Sequence, residues 1–293
     1  MIDKLEMFLA LARCQHFGKA AEEIGVTQPT LSAAIKQLEE QLGVMLVWRG
    51  SRFRGLTPEG QRVQEWARQI VADARSMKEE MRQARQGLSG NLRLAVIPTA
   101  LPAVSHLTSR FIEKHPNLRI SVLSRSSSQI LEMMDNLEID AGVSYLDDEP
   151  LGRVTVEPLY AEHYVLVTSS PVQKGAVRWA ELDQYPLCLL TPDMLNRRII
   201  QKHLSEAGVS VQPKIEANTI TVLISHVLSG GWATILPLKA AEIYLSGNGL
   251  HATPISEPYA SHRVGLIAPH REPYTPVLAA LLQEARALAR DWS

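Results

Sequence analysis

Apolar residues recur three and four apart through the first ninety positions. Leu5, Phe8, Leu9 and Ala12 form one stripe, residues 19–24 a short second segment closed by Gly25, and Leu31, Ile35, Leu38 and Leu42 a third closed by Gly43. That spacing is helical, and a glycine just past the last turn takes the left-handed backbone that ends a helix. Thr27 suits the N-cap of the third helix, with Pro29 tolerated in its first turn. Thr57-Pro58 is a further start signal, Thr at the cap and Pro at the first helical position. From there Val63, Trp66, Ile70, Ala74, Met77, Met81, Ala84 and Leu88 continue at spacings of three and four to about Gln86. So narrow a stripe suits helix–helix pairing. A helix of that length outreaches a domain of ~60 residues, so a second chain is expected along it.

Gly87-Leu88-Ser89-Gly90 reads as a hinge, and the texture changes after it. Short apolar runs at 92–97, 120–124, 141–144, 154–159, 164–168, 187–190, 233–236 and 263–268 predict strands. Helical patterns at 101–114, 129–136, 196–207, 219–228 and 275–290 separate several of them. This alternation predicts an α/β unit with a mostly parallel sheet behind an all-α front end. The domain reading is 1–60, a linker helix at 58–88, and 89–293.

Composition excludes several classes. The chain has 293 residues, 45% hydrophobic and 21% charged, with a net charge of −1, ordinary globular values. Cys14 and Cys188 stand far apart, which leaves no disulfide framework and no cysteine-based zinc site. No run of 18 apolar residues exists to cross a membrane, and residues 1–5 carry Asp3 and Lys4 where a leader needs an apolar run. The expectation is a reduced, cytoplasmic protein with no metal and no cofactor. His-Glu-x-x-His, the phosphate-binding Gly-x-x-x-x-Gly-Lys and Gly-x-Gly-x-x-Gly are all absent, so no catalytic residue is nominated.

Charge is informative only locally. The first 90 residues carry 13 basic and 11 acidic side chains, yet Arg49, Arg52 and Arg54 fall within six residues that contain no acid. Upstream of them, residues 17–42 read as a short helix, a tight turn at Gly25-Val26-Thr27 and a second helix, a helix-turn-helix layout. One face of the second helix holds Thr27, Gln28, Pro29, Ser32, Ala33 and Lys36. An α-helix fits the major groove of double-stranded DNA and reaches base edges with its first turns. Gln28 can contact adenine in bidentate fashion, Ser32 a base or phosphate, and Lys36 guanine or phosphate. Residues 44–57 read as a β-hairpin wing whose arginines meet phosphates or enter the minor groove. The rival reading is a metabolite-binding or enzymatic α/β protein with a helical oligomerisation arm, for which three such arginines have no use.

Residues 1–60 resemble the winged helix-turn-helix of LysR-type transcriptional regulators. The resemblance is carried by Phe17-Gly18-Lys19-Ala20-Ala21, Thr27-Gln28-Pro29-Thr30-Leu31-Ser32, Ile35-Lys36-Gln37-Leu38-Glu39, Leu42-Gly43, Leu46, Arg49 and Leu56-Thr57-Pro58-Glu59-Gly60. It continues through His115-Pro116-Asn117-Leu118, Ile139-Asp140-Ala141-Gly142 and residues 230–237. There are two departures. Ala33 stands where members often carry Arg, removing one base contact. Leu46-Val47-Trp48-Arg49 replaces the family's Leu-Phe-x-Arg. The resemblance implies a homodimer or homotetramer on a palindromic operator, contact with RNA polymerase, activation or repression, and a small-molecule effector.

It also implies a two-part effector domain similar to periplasmic binding proteins, with subdomain I at 91–161 and 268–293 and subdomain II at 162–267. Three segments are then expected to face the cleft: Thr99-Ala100, Ser126-Ser127-Ser128 and Asn218-Thr219. Their hydroxyls, amide and helix-start N–H groups suit an anion. Asn196 and Arg197 occupy a further position where the family often places a cleft residue, and Arg197 can pair with a carboxylate. A small carboxylate anion is the effector expected. Leu101, Tyr145 and Leu195 could equally line a site for an aromatic acid.

Overall fold

The front of the chain folds as four helices, α1 (Ile2–Cys14), α2 (Phe17–Glu23), α3 (Gln28–Leu42) and α4 (Pro58–Gln86). The computed structural model describes residues 1–48, 53–247, 249–257, 261–270 and 273–292, those at 84–86 by backbone alone. The start signals act as expected for α3 and α4. Thr27 Oγ1 accepts the N–H of Thr30, and Thr57 Oγ1 that of Gly60. Gly43 closes α3 in the left-handed region at φ 70°. α2 begins two residues earlier than its apolar pattern predicts, because His16 caps it: its Nδ1 accepts the N–H groups of Gly18 at 3.1 Å and Lys19 at 3.3 Å. Leu5, Phe8 and Leu11 from α1, Ala20 and Ala21 from α2, and Leu31, Ile35 and Leu38 from α3 form one core with Ala67 and Val71 of α4.

The chain divides into two compact units. One comprises residues 1–87 with the short stretches 135–138 and 273–276; the other holds the remainder. The second unit carries two sheets. The five-stranded sheet is built from β1 (Gly90–Val96), β2 (Leu118–Ser124), β3 (Ala141–Tyr145), β4 (Val154–Glu162) and β11 (His262–Pro269), in the order β2-β1-β3-β11-β4. The four-stranded sheet holds β5 (Tyr164–Thr168), β6 (Val177–Arg178), β9 (Ala233–Pro237) and β10 (His251–Ser256), in the order β6-β10-β5-β9. A two-stranded pair, β7 (Cys188–Leu190) with β8 (Ile215–Ala217), joins this half. Helices α5 (Leu101–Lys114), α6 (Ser127–Asp135) and α10 (Pro276–Trp292) accompany the first sheet. α7 (Leu195–Glu206), α8 (Ile220–Leu228) and α9 (Leu238–Leu245) accompany the second.

Two expectations are corrected. The sheets are mixed rather than mostly parallel: β11 runs antiparallel to β3 and to β4, and β5 antiparallel to β9 and β10. The cause is the double crossing. β4 carries the chain out to the second half and β11 carries it back, so the two must run in opposite directions. The return also falls earlier than expected, since β11 pairs with β4 from His262 onward and residues 262–267 belong to the first half. β6, β8, β10 and α9 were not anticipated.

Candidate functional site

The helix pair presents a two-faced surface. On α3 the side chains of Leu31, Ala34, Ile35 and Leu38 are buried, while Thr27, Gln28, Pro29, Ser32, Ala33 and Lys36 are all exposed. Lys36 Nζ lies 3.8 Å from Glu40 Oε1 one turn on, both well exposed, a pairing too screened to hold the lysine in place. The hairpin beside α3 is tied down from three directions. Glu39 Oε1 accepts the N–H of Leu46 at 2.8 Å and of Val47 at 3.3 Å. Thr57 Oγ1 donates to the carbonyl of Met45 at 2.5 Å. Val47 and Leu56 form an antiparallel bridge. Gly60 completes the fixture, for a Cβ there would stand 2.0 Å from the carbonyl oxygen of Leu46. Arg54 is exposed on this hairpin; Arg49 and Arg52 lie outside the described residues.

α4 has two apolar faces. Ala67 and Val71 belong to the core of the first unit, whereas Trp66 (66% exposed), Ile70 (42%), Met77 (58%) and Met81 (58%) face outward. Four large apolar side chains in one row are unusual on an isolated surface.

In the second unit a buried polar network spans the joint between the two sheets. Thr99 Oγ1 is 3.3 Å from Tyr145 Oη, and Tyr145 Oη donates to Glu162 Oε2 at 2.6 Å. Tyr160 Oη donates to the other carboxyl oxygen at 3.4 Å. From α7, Asn196 Nδ2 donates to Tyr145 Oη at 3.1 Å and to Tyr164 Oη at 3.4 Å. Glu162 and Tyr164 flank His163, where β4 passes into β5, so the network sits on the outgoing crossing. Glu162 is only 1% exposed, and burial pushes its carboxyl up to about 7 against the pull of its hydroxyl donors. Asn196 is 4% exposed, and its Oδ1 has no hydrogen-bond partner among the described residues. Thr99 and Asn196 are therefore brought together, through Tyr145, from distant parts of the chain.

The serines behave differently. Ser126 Oγ and Ser128 Oγ are 3.2 Å apart, and Ser127 Oγ donates to Glu149 Oε2 at 2.6 Å. The other oxygen of Glu149 pairs with Arg198 of α7. A carboxylate of the chain itself thus takes the Ser127 hydroxyl at the start of α6. Ala100 is buried, whereas Asn218 and Thr219 are exposed, and Thr219 makes no side-chain cap bond. Arg197 Nη1 donates to Gln201 at 2.7 Å and its Nη2 lies 3.6 Å from Glu216. Its Nε is buried and has no hydrogen-bond partner among the described residues.

Sequence reasoning missed the acidic loop after β3. Asp147 pairs with Arg263, Asp148 with His262 and Glu149 with Arg198. Asp-Asp-Glu alone reads as a solvated run, so no local signal marks it. Glu162 did leave a signal, a charge inside the apolar stretch Tyr160–Val167. Both thiols sit near 11. Burial and the Glu23 carboxylate raise Cys14, and burial raises Cys188. Among the described residues no cluster of His, Cys, Asp and Glu is placed to hold a metal ion, and no helix is long and apolar enough to cross a membrane.

Comparison with known proteins matches residues 2–61 to a family described as bacterial regulatory helix-turn-helix protein, lysR family, and residues 85–290 to the LysR substrate binding domain. The DNA-binding transcriptional dual regulator OxyR of Escherichia coli K12 is 28% identical over 291 residues, covering 98% of this chain and 94% of that protein. A probable hydrogen peroxide-inducible genes activator of Streptomyces viridosporus is 30% identical over 299 residues, covering 97% and 94%. Among solved structures, a full-length OxyR variant from Pseudomonas aeruginosa superposes with a TM-score of 0.76 at 23% identity over 99% of both chains. CbnR bound to its target DNA gives 0.62 at 21%, over 98% of this chain and 99% of that one.

Proposed function

The chain belongs to the LysR family of DNA-binding transcriptional regulators, and from that premise we propose how its own residues carry the work. α3 enters the major groove, where Gln28 and Ser32 meet base edges, Thr27, Pro29 and Ala33 fit the groove wall, and Lys36 reaches guanine or phosphate. Arg49, Arg52 and Arg54 of the wing grip phosphates or the minor groove. Two chains pair along the outward row of α4, so that two winged domains read an interrupted palindrome as a dimer or as part of a tetramer. The single observation supporting the DNA reading is the division of α3 into a face buried at Leu31, Ala34, Ile35 and Leu38 and an exposed polar face at Gln28, Ser32 and Lys36. It works on DNA in the cytoplasm, through promoter bending or contact with RNA polymerase.

Selection of fragments from a random DNA pool by the purified protein, at stated salt, tests this. An enriched motif with two symmetric half-sites is expected. Failure to bind any DNA at low salt would return the metabolite-binding protein with a helical arm to first place.

The second unit senses a small molecule between its two halves, and the ligand acts only through unequal affinity for two arrangements of them. A carboxylate remains the class to titrate first, because Ser127, which opens α6, already holds one in Glu149. Thr99-Ala100, Ser126–Ser128, Asn196 and the rim at Asn218-Thr219 would line the site. Arg197, whose buried Nε has no partner among the described residues, would add a charge-assisted contact to a carboxylate ligand. The listing of relatives as peroxide-inducible does not carry over through thiol chemistry: the two thiols lie in different units and both resist ionisation, and oxidation follows the thiolate. Calorimetric titration of the full chain with acetate, benzoate and neutral analogues of each is the test. Heat only from the neutral compounds would overturn the carboxylate reading.

A further inference from the structure

Two imidazoles meet where the halves of the sensing unit join. His203 lies on α7, in the half with the four-stranded sheet, and His262 opens β11, in the other. Their Nε2 atoms are 2.9 Å apart, and both residues are under 10% exposed. A contact between two ring nitrogens holds one hydrogen, so one ring must offer a bare nitrogen. The surroundings assign the roles. Asp148 Oδ2 lies 2.7 Å from His262 Nδ1 and keeps the hydrogen there, whereas His203 Nδ1 makes no hydrogen bond among the described residues, which leaves His262 Nε2 as acceptor and His203 Nε2–H as donor. The contact survives while His262 is neutral and breaks once both rings are charged.

The groups facing the pair come from every element around it. His203 has Glu206 Oε2 3.4 Å from its Nδ1 and Lys202 beside it on α7. The rings of Tyr145 and Tyr164 lie 6.4 and 6.0 Å from His262, and Trp179 lies 5.0 Å from His203. Glu162 reaches the same cluster through Tyr145. Burial, and then the neighbouring His262, hold the pKa of His203 below its ordinary value, so the closed joint favours the uncharged form of His203.

We propose that the His203–His262 pair is an acid-released clasp between the two halves, shut at neutral pH and opened by proton uptake. The proposal rests on reading this unit as the sensing half, and it makes the proton a regulator of the same joint that an effector would move. The sign follows from linkage. A histidine kept neutral in the closed state contributes fully above its free value near ~6.5, and that contribution is lost as pH falls below it. The closed-to-open ratio should then fall up to tenfold per pH unit for each proton taken up.

The test is an acid titration of the full-length protein from pH 8 to pH 5, read by scattering radius and by tryptophan emission. A charged imidazole quenches an indole at the distance of Trp179. The wild type should expand and dim below about pH 6.5. His262→Gln, which can still accept from His203 but cannot charge, should suppress the expansion, and His203→Gln should suppress both signals. Glu162→Gln should leave the acid transition in place. A wild type that neither expands nor dims, or a His262→Gln variant that expands as the wild type does, overturns the clasp. DNA selection and ligand titration are run at pH 8, well above the acid transition. Loss of those activities with the acid transition intact would count against the regulator's reading alone.

Discussion

Replacing Glu162 by Gln should flatten one limb of the protein's stability against pH. The carboxyl is buried, accepts from Tyr145 at 2.6 Å and from Tyr160 at 3.4 Å, and sits at about 7 instead of its ordinary 4.5 because burial disfavours its charge. A raised carboxylate pKa means that the folded state holds the proton more tightly than the unfolded one. Its contribution is complete below about pH 4.5 and is lost as pH rises through about 7. At about 1.4 kcal/mol per pH unit, the loss between pH 5 and pH 8 comes to about 2–3 kcal/mol. Glutamine keeps an oxygen for Tyr145 and can donate to Tyr160, but it has no proton to lose. Urea unfolding of the full chain at pH 5, 6, 7 and 8 measures the effect as the difference between variant and wild type. Any fixed cost of the amide cancels in the pH dependence of that difference. The variant should gain on the wild type by about 2–3 kcal/mol from pH 5 to pH 8. A constant difference, or one that moves the other way, would refute the burial argument.

Three further outcomes are expected. Gly60→Ala forces a Cβ against the Leu46 carbonyl and should cost about 1–3 kcal/mol by overpacking; thermal melting and a fall in DNA affinity through displacement of the wing would show it. Trp66→Glu combined with Met77→Glu should shift the sedimentation profile to a smaller species while leaving the first unit folded, since both side chains are exposed. Arg54→Ala should weaken binding about equally on all DNA and lower the salt slope by about 1, whereas Ser32→Ala should relax the preference at one base position; a binding panel across salt and sequence separates the two.

The front of the chain was legible because its signals are local. Thr27, Gly43 and Thr57-Pro58 act within a turn or two of where they stand, and α3 and α4 begin and end as they indicate. α2 slipped because an imidazole cap lies outside the usual set of capping residues. In the second unit the strands with continuous apolar runs were visible and the short ones were not. β10 carries Pro254 opposite Val165, and a proline weakens the strand signal of the segment around it. The site was half legible. The resemblance points to Thr99 and Asn196, but their connection through Tyr145 to Glu162 joins residues far apart in the chain, and no periodicity encodes it. For Arg197 the sequence leaves the partner open, because guanidinium chemistry is the same toward a ligand as toward Glu216.

The contact of Gly60 with Leu46 has a mechanical consequence. It welds the first turn of α4 to the wing strand, while Thr57 and Glu39 tie that strand to α4 and α3. α4 therefore has no pivot at its DNA end and behaves as a lever rigid with the reading head. Its 29 residues span about 43 Å at 1.5 Å per residue. A swing of about 5° at the far end displaces the head by about 4 Å, on the order of one base step. Small rotations of the arm are thus amplified into changes of register on the operator.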